Sequence, residues 1–154
     1  MPATLPTPRQ KTSARLYAVQ GVYQMLVAGQ TAFQVVQAHA ENRGPAIPDM
    51  VDLETPDPEL FRAIVGGVER KSIELLPVLG QHLKEGKTVA AMRDQEPLLL
   101  AILMCAAYEL MTHLDIDAPI IMNDYIDVTQ SYYEGNESSF VNGILDRFKT
   151  LYRP

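Results

Sequence analysis

Residues 98–111 read Leu-Leu-Leu-Ala-Ile-Leu-Met-Cys-Ala-Ala-Tyr-Glu-Leu-Met and contain the longest strongly apolar stretch of the chain. It carries no charge up to Tyr108, and Glu109 is its first interruption. Even read out to Met111 it falls short of the ~20 residues a membrane span requires. It therefore predicts a helix buried on every side within a helical protein. Asp94 is the candidate cap, Pro97 sits in the first turn, and the helix is expected over 98–114. Cys105, the single cysteine, lies inside the run. It can form no intramolecular disulfide and reads as a small buried hydrophobe in a reducing cytoplasm.

Helical signals continue outward on both sides. Thr7-Pro8 suits a cap and first turn, with Thr12 or Ser13 as other starts. Leu16, Val19, Val22, Tyr23, Leu26 and Val27 then recur at helical spacing, and Gly29 is the stop. A short second helix is expected over 31–40. Gly44, Pro45, Pro48 and Pro56 make 42–57 a loop between two halves, and residues 1–8 read as a flexible start. Asp57-Pro58-Glu59 opens a helix carrying Leu60, Phe61, Ile64, Val65 and Val68, then Ile73, Leu75 and Leu76. Gly66-Gly67 in its middle costs about 1 kcal/mol per residue relative to alanine, which predicts close approach of a neighbouring helix. Pro77 predicts a kink or interruption, and Gly86 ends the segment.

Thr88 starts a short helix over 88–93. Beyond the central stretch, Ala118-Pro119 opens a helix reaching towards Gly135. Ser138 or Ser139 caps the last one, whose core face is Phe140, Val141, Ile144, Leu145 and Phe148. No segment alternates with a period of two, so the fold class is all-α, with six or seven helices in one domain spanning 1–154.

Charge is unevenly placed. With 19 acidic and 13 basic residues the chain carries a net charge of −6, so its average surface repels nucleic acid and any RNA contact must be local. Residues 1–40 hold no Asp or Glu but do hold Arg9, Lys11 and Arg15. Residues 94–146 hold ten acids and no Lys or Arg. Lys11 and Arg15, four apart, share one helical face, and Arg9 can join them from an extended start. Three phosphate contacts correspond to a salt slope of about −2 on a single strand, which is weak binding alone. The acidic half complements a basic protein, or serves only as a solvated face for solubility.

Catalytic patterns are missing. His39, His82 and His113 stand in no metal-ligand spacing, and there is no G-x-S-x-G, P-loop, H-E-x-x-H or dinucleotide fingerprint. Asp124 and Asp127 share a helix face, as exposed acids commonly do. The residues predict no enzyme, no metal and no cofactor. Residues 1–8 lack the apolar core of a signal peptide.

Three segments carry a family resemblance. Ala14-Arg15-Leu16-Tyr17-Ala18-Val19-Gln20-Gly21-Val22-Tyr23 is close to a helix written A-R-x-x-A-V-Q-A-L-Y. Ala107-Tyr108-Glu109-Leu110 matches an A-Y-E-L core, followed by Asp117-Ala118-Pro119 and Ile121-Met122-Asn123-Asp124. Phe140-Val141-Asn142-Gly143-Ile144-Leu145-Asp146 is nearly F-V-N-G-V-L-D. In this order they resemble the NusB transcription antitermination family, and together they are far more specific than any one alone.

The resemblance implies two antiparallel three-helix bundles packed crosswise. It also implies pairing with the ribosomal protein NusE, binding of the boxA element of nascent ribosomal RNA, and membership of an RNA polymerase antitermination complex. It leaves a homodimer open. RNA contact falls to Arg9, Lys11, Arg15, His82 and Phe140, and partner contact to Tyr108, Glu109, Asn123, Asp124 and Asp127. Several positions depart from the family. Thr12 and Ser13 replace arginines, Leu99 and Leu100 replace a polar pair, and Met104 replaces a frequent arginine. His82 stands for an aromatic residue and Ser139 for a lysine. Two other readings follow: a diverged protein-binding module with little RNA affinity of its own, and an accessory domain working with a separate RNA-modifying enzyme.

Overall fold

The computed structural model describes residues 4–41 and 54–154. Among them lie seven helices and no strand: α1 (Pro8–Ala28), α2 (Ala32–Ala40), α3 (Pro58–Gln81), α4 (Val89–Gln95), α5 (Pro97–Thr112), α6 (Ala118–Tyr132) and α7 (Glu137–Tyr152). Most of the expected loop 42–57 lies outside the described residues. Residues 54–57 adopt no regular structure, and Asp57 N–H donates to the Gln10 carbonyl at 3.1 Å, tying the start of α3 to α1.

Local chemistry explains the starts of the first three helices. Thr7 and Gln10 form a reciprocal capping box on α1, at 3.2 and 2.9 Å, and Thr31 and Gln34 repeat it on α2. Such caps are worth about 1 kcal/mol each. Gly29 ends α1 with φ 67°, the left-handed cap that favours glycine. The Asp57 carboxylate accepts from the N–H groups of Glu59 and Leu60 at the start of α3.

Later boundaries differ from the sequence reading. Asp94 falls inside α4, and Glu96 precedes Pro97 as the cap of α5 without a side-chain hydrogen bond. α5 ends at Thr112 rather than at 114. α7 starts at Glu137, capped by Asn136 rather than by either serine. α3 does not stop at Pro77 but runs on to Gln81. Buried Leu75 and Leu79 hold the turns on either side of the proline, and this packing offsets the lost hydrogen bond.

The helices form two groups of three. α1, α2 and α3 pack on one another, as do α5, α6 and α7, while α4 lies against the start of α5. α5 also packs against α1 and α3, so it is shared by both groups. Residues 99–110 of this helix are all buried, including Glu109, the charge that interrupts the apolar stretch. Arg153 pins its far end, donating to the carbonyls of Glu109, Leu110, Ile116 and His113.

Two glycines set the distances between helices. A Cβ added to Gly67 would lie 2.0 Å from Tyr108 Cζ, so α3 and α5 cross there with no room for a side chain. Gly66, also expected at a crossing, would meet only the flexible Arg70 guanidinium at 3.2 Å. Gly21 is the second close approach: its Cβ would meet Val35 at 2.7 Å and Val65 at 3.3 Å, where α1 contacts α2 and α3.

Candidate nucleic-acid and partner interface

At the junction of α1, α5 and α6 sits a cluster of buried charges. Arg15 Nε donates to Glu109 Oε2 at 2.8 Å and Nη2 donates to Oε1 at 3.1 Å, while Nη1 donates to Asp124 Oδ2 at 2.6 Å. Glu109 also accepts from the Tyr125 hydroxyl at 2.5 Å, and His113 Nδ1 lies 2.9 Å from its other oxygen. Thr12 donates to Asp124 at 3.0 Å. Arg15 is 1% exposed and Glu109 fully buried. Burial on its own would drive the Glu109 carboxyl upward, but the hydrogen bonds from His113, Arg15 and Tyr125 outweigh it and hold the group below its ordinary range. Burial and the adjacent Glu109 charge push the Tyr125 hydroxyl and the Cys105 thiol well up, so both stay protonated.

This cluster removes Arg15 from the residues that could meet phosphate. Its guanidinium is turned inward, because the A-Y-E-L carboxylate needs a buried counter-charge more than solvent needs another cation. Glu109 and Tyr108 likewise leave the surface; the Tyr108 ring covers Gly67. Among the expected partner residues, Asn123 and Asp127 are exposed on α6 and Asp124 is partly covered by its bonds to Arg15 and Thr12. Burial, then the neighbouring Asp124, raises the Asp127 carboxyl above its usual range.

The cations of α1 stand among carboxylates. Arg9 lies 3.6 Å from Glu54, and Lys11 shares a shallow hollow with Asp57, Glu59 and Asp115.

His82 and Phe140, far apart in sequence, come together. Both line a groove of about 330 Å³ between the turn after α3 and the first half of α7, with Lys84, Asn136, Ser139 and Arg147 among its walls. The His82 ring stands edge-on to Phe148, and its buried Nε2 has no hydrogen-bond partner among the described residues. Phe140 is only partly buried, and the Lys87 ammonium stands 4.4 Å over its ring. Sequence reading passed over Lys84, Lys87 and Arg147; only the position of Arg147, directly after the F-V-N-G-I-L-D segment, hinted at it.

Among the described residues no group of acids, histidines or cysteines is arranged to hold a metal ion, and no helix is long and apolar enough to cross a membrane.

Comparison with known proteins gives a consistent result. The NusB family profile matches residues 12–150. The transcription antitermination protein NusB of Brucella anthropi is 35% identical over 147 residues, covering 96% of this chain and 86% of that protein. The protein of the same name from Brucella melitensis biotype 1 is 34% identical over 159 residues, covering 99% and 91%. In three dimensions the chain is similar to T. maritima NusB, with a TM-score of 0.72 and 23% identity over 97% of this chain and 96% of that one.

Proposed function

This chain belongs to the NusB family of transcription antitermination proteins, and on that premise we propose that it binds a boxA-like element of nascent ribosomal RNA together with NusE in the cytoplasm. It acts as an adaptor and not as an enzyme, helping RNA polymerase pass terminators within a larger antitermination complex. The observation that supports RNA contact is the meeting of His82 and Phe140 in one groove. The family resemblance implies RNA contact at both residues, which lie 58 positions apart in the sequence. A groove with an aromatic wall suits an unpaired base, because stacking is worth roughly 1–3 kcal/mol per base and tolerates sequence. The exposed Asn123 and Asp127 on α6, within the acidic half of the chain, suit a basic protein such as NusE.

The second reading is a module that binds protein and has little RNA affinity of its own. It draws on the inward-facing Arg15 and the carboxylates around Lys11. One titration separates the two: boxA RNA against the chain, with and without NusE, at two salt concentrations. Weak binding alone that tightens with NusE and weakens with salt supports the leading reading. A one-to-one complex with NusE that adds nothing to RNA binding by NusE alone supports the second.

A further inference from the structure

From the surroundings of each basic residue we infer that the cationic grip on the RNA backbone in this chain lies at the α3–α4 turn and on α7, through Lys84 and Arg147 with Lys87 beside them, rather than on α1. The inference rests on the reading of the chain as an RNA-binding protein and specifies which of its cations do the work.

The contrast is one of local charge. Arg15 is spent on Glu109 and Asp124, Arg9 stands beside Glu54, and the hollow at Lys11 contains three carboxylates. A phosphate arriving there meets more negative than positive charge. Lys84 and Arg147, by contrast, wall a groove that no carboxylate lines among the described residues. Arg147 Nη1 donates to the His82 carbonyl at 2.8 Å, which ties the guanidinium to the groove wall, and most of its five N–H donors make no bond to the described residues. Lys87 is held over Phe140 and balanced by Glu96 at 3.1 Å, so it shapes the aromatic wall more than it adds net charge. Cations alongside an aromatic surface are what single-stranded RNA requires: charge for the backbone and a face for the base.

The test uses the complex with NusE and a labelled single-stranded boxA RNA over a salt series. Lys84→Ala with Arg147→Ala should flatten the salt slope by about 1.4, or 0.7 for each lost contact. Matched and scrambled RNA should weaken by similar factors, since phosphate contacts carry no sequence information. Arg147→Lys, which keeps the charge, should keep the slope. Lys84 is exposed in a turn, so Lys84→Ala and Lys84→Glu remain informative if loss of Arg147 loosens the fold. An unchanged slope in folded Lys84 and Arg147 variants overturns the inference. So does a larger loss from Arg9→Ala with Lys11→Ala. A parent complex that binds RNA no better than NusE alone defeats the functional reading itself, which the parent titration reveals before any variant is made.

Discussion

Arg15 on α1 and Glu109 on α5 meet in a two-pronged ion pair, at 2.8 and 3.1 Å, with both side chains sealed from solvent. The pair joins a helix of the first group to the helix both groups share. Removing one member strands a buried charge, which costs about 3–5 kcal/mol, whereas replacing a whole pair by apolar groups of similar volume is often neutral. Arg15→Met and Glu109→Met should therefore each lower stability by roughly that amount in urea unfolding. Arg15→Met with Glu109→Met should cost much less than the two single losses combined. Strict additivity in this double-mutant cycle would show that the pair is not coupled.

Acid should release the same cluster. The Glu109 carboxyl sits below its ordinary value of 4.5, because its hydrogen-bond partners overcome the effect of burial. A depressed carboxyl contributes stability that is complete above the unfolded-state pKa and lost as pH falls through the lower folded value. The contribution of Glu109 to the urea midpoint should thus be constant from pH 7 to about 5 and be lost below the unfolded value. Glu109→Gln should be less stable at pH 7 and should show a shallower decline. A parallel decline in the two proteins would place the acid sensitivity elsewhere.

The two adjacent glycines of α3 should behave differently. Gly67→Ala drives a methyl into the Tyr108 ring and should cost about 1–3 kcal/mol or more, as overpacking does. Gly66→Ala meets only a movable arginine and should gain up to about 1 kcal/mol from helix propensity. Thermal melts of the two variants test this, and equal melting temperatures would remove the crossing at Gly67.

Partner binding is best probed at Asp127. Its neighbour Asp124 holds Arg15 and Thr12, so a charge change there disturbs the fold as well as the surface. Asp127→Lys, at an exposed position on α6, should slow association with NusE, with less effect on dissociation, and the difference should shrink as salt rises. Unchanged association kinetics at low salt would move the partner face away from α6.

The elements were largely readable because their signals are local. Thr7-Pro8, Thr31 and Asp57-Pro58 mark three helix starts by hydrogen bonds made within four residues. Pro77 misled for the opposite reason: a lost backbone bond is a local cost, but Leu75 and Leu79 are held by distant helices. Ile73 matched the helical spacing yet is 86% exposed, since periodicity alone does not say where the buried stripe ends.

The all-helical class, most helix starts, the buried central helix and the family are legible in the sequence, since each is written in neighbouring residues or in ordered motifs. The use of each charge follows instead from how the helices pack. Arg15 and Lys11 share a sequence neighbourhood, but whether a cation faces a phosphate or a carboxylate depends on side chains ninety or more residues away, such as Glu109 and Asp115. His82, Lys84, Phe140 and Arg147 likewise become one groove only when the turn after α3 packs beside α7. Electrostatic energy falls with distance in space and not along the chain, so the site of charge could be read only from the folded molecule.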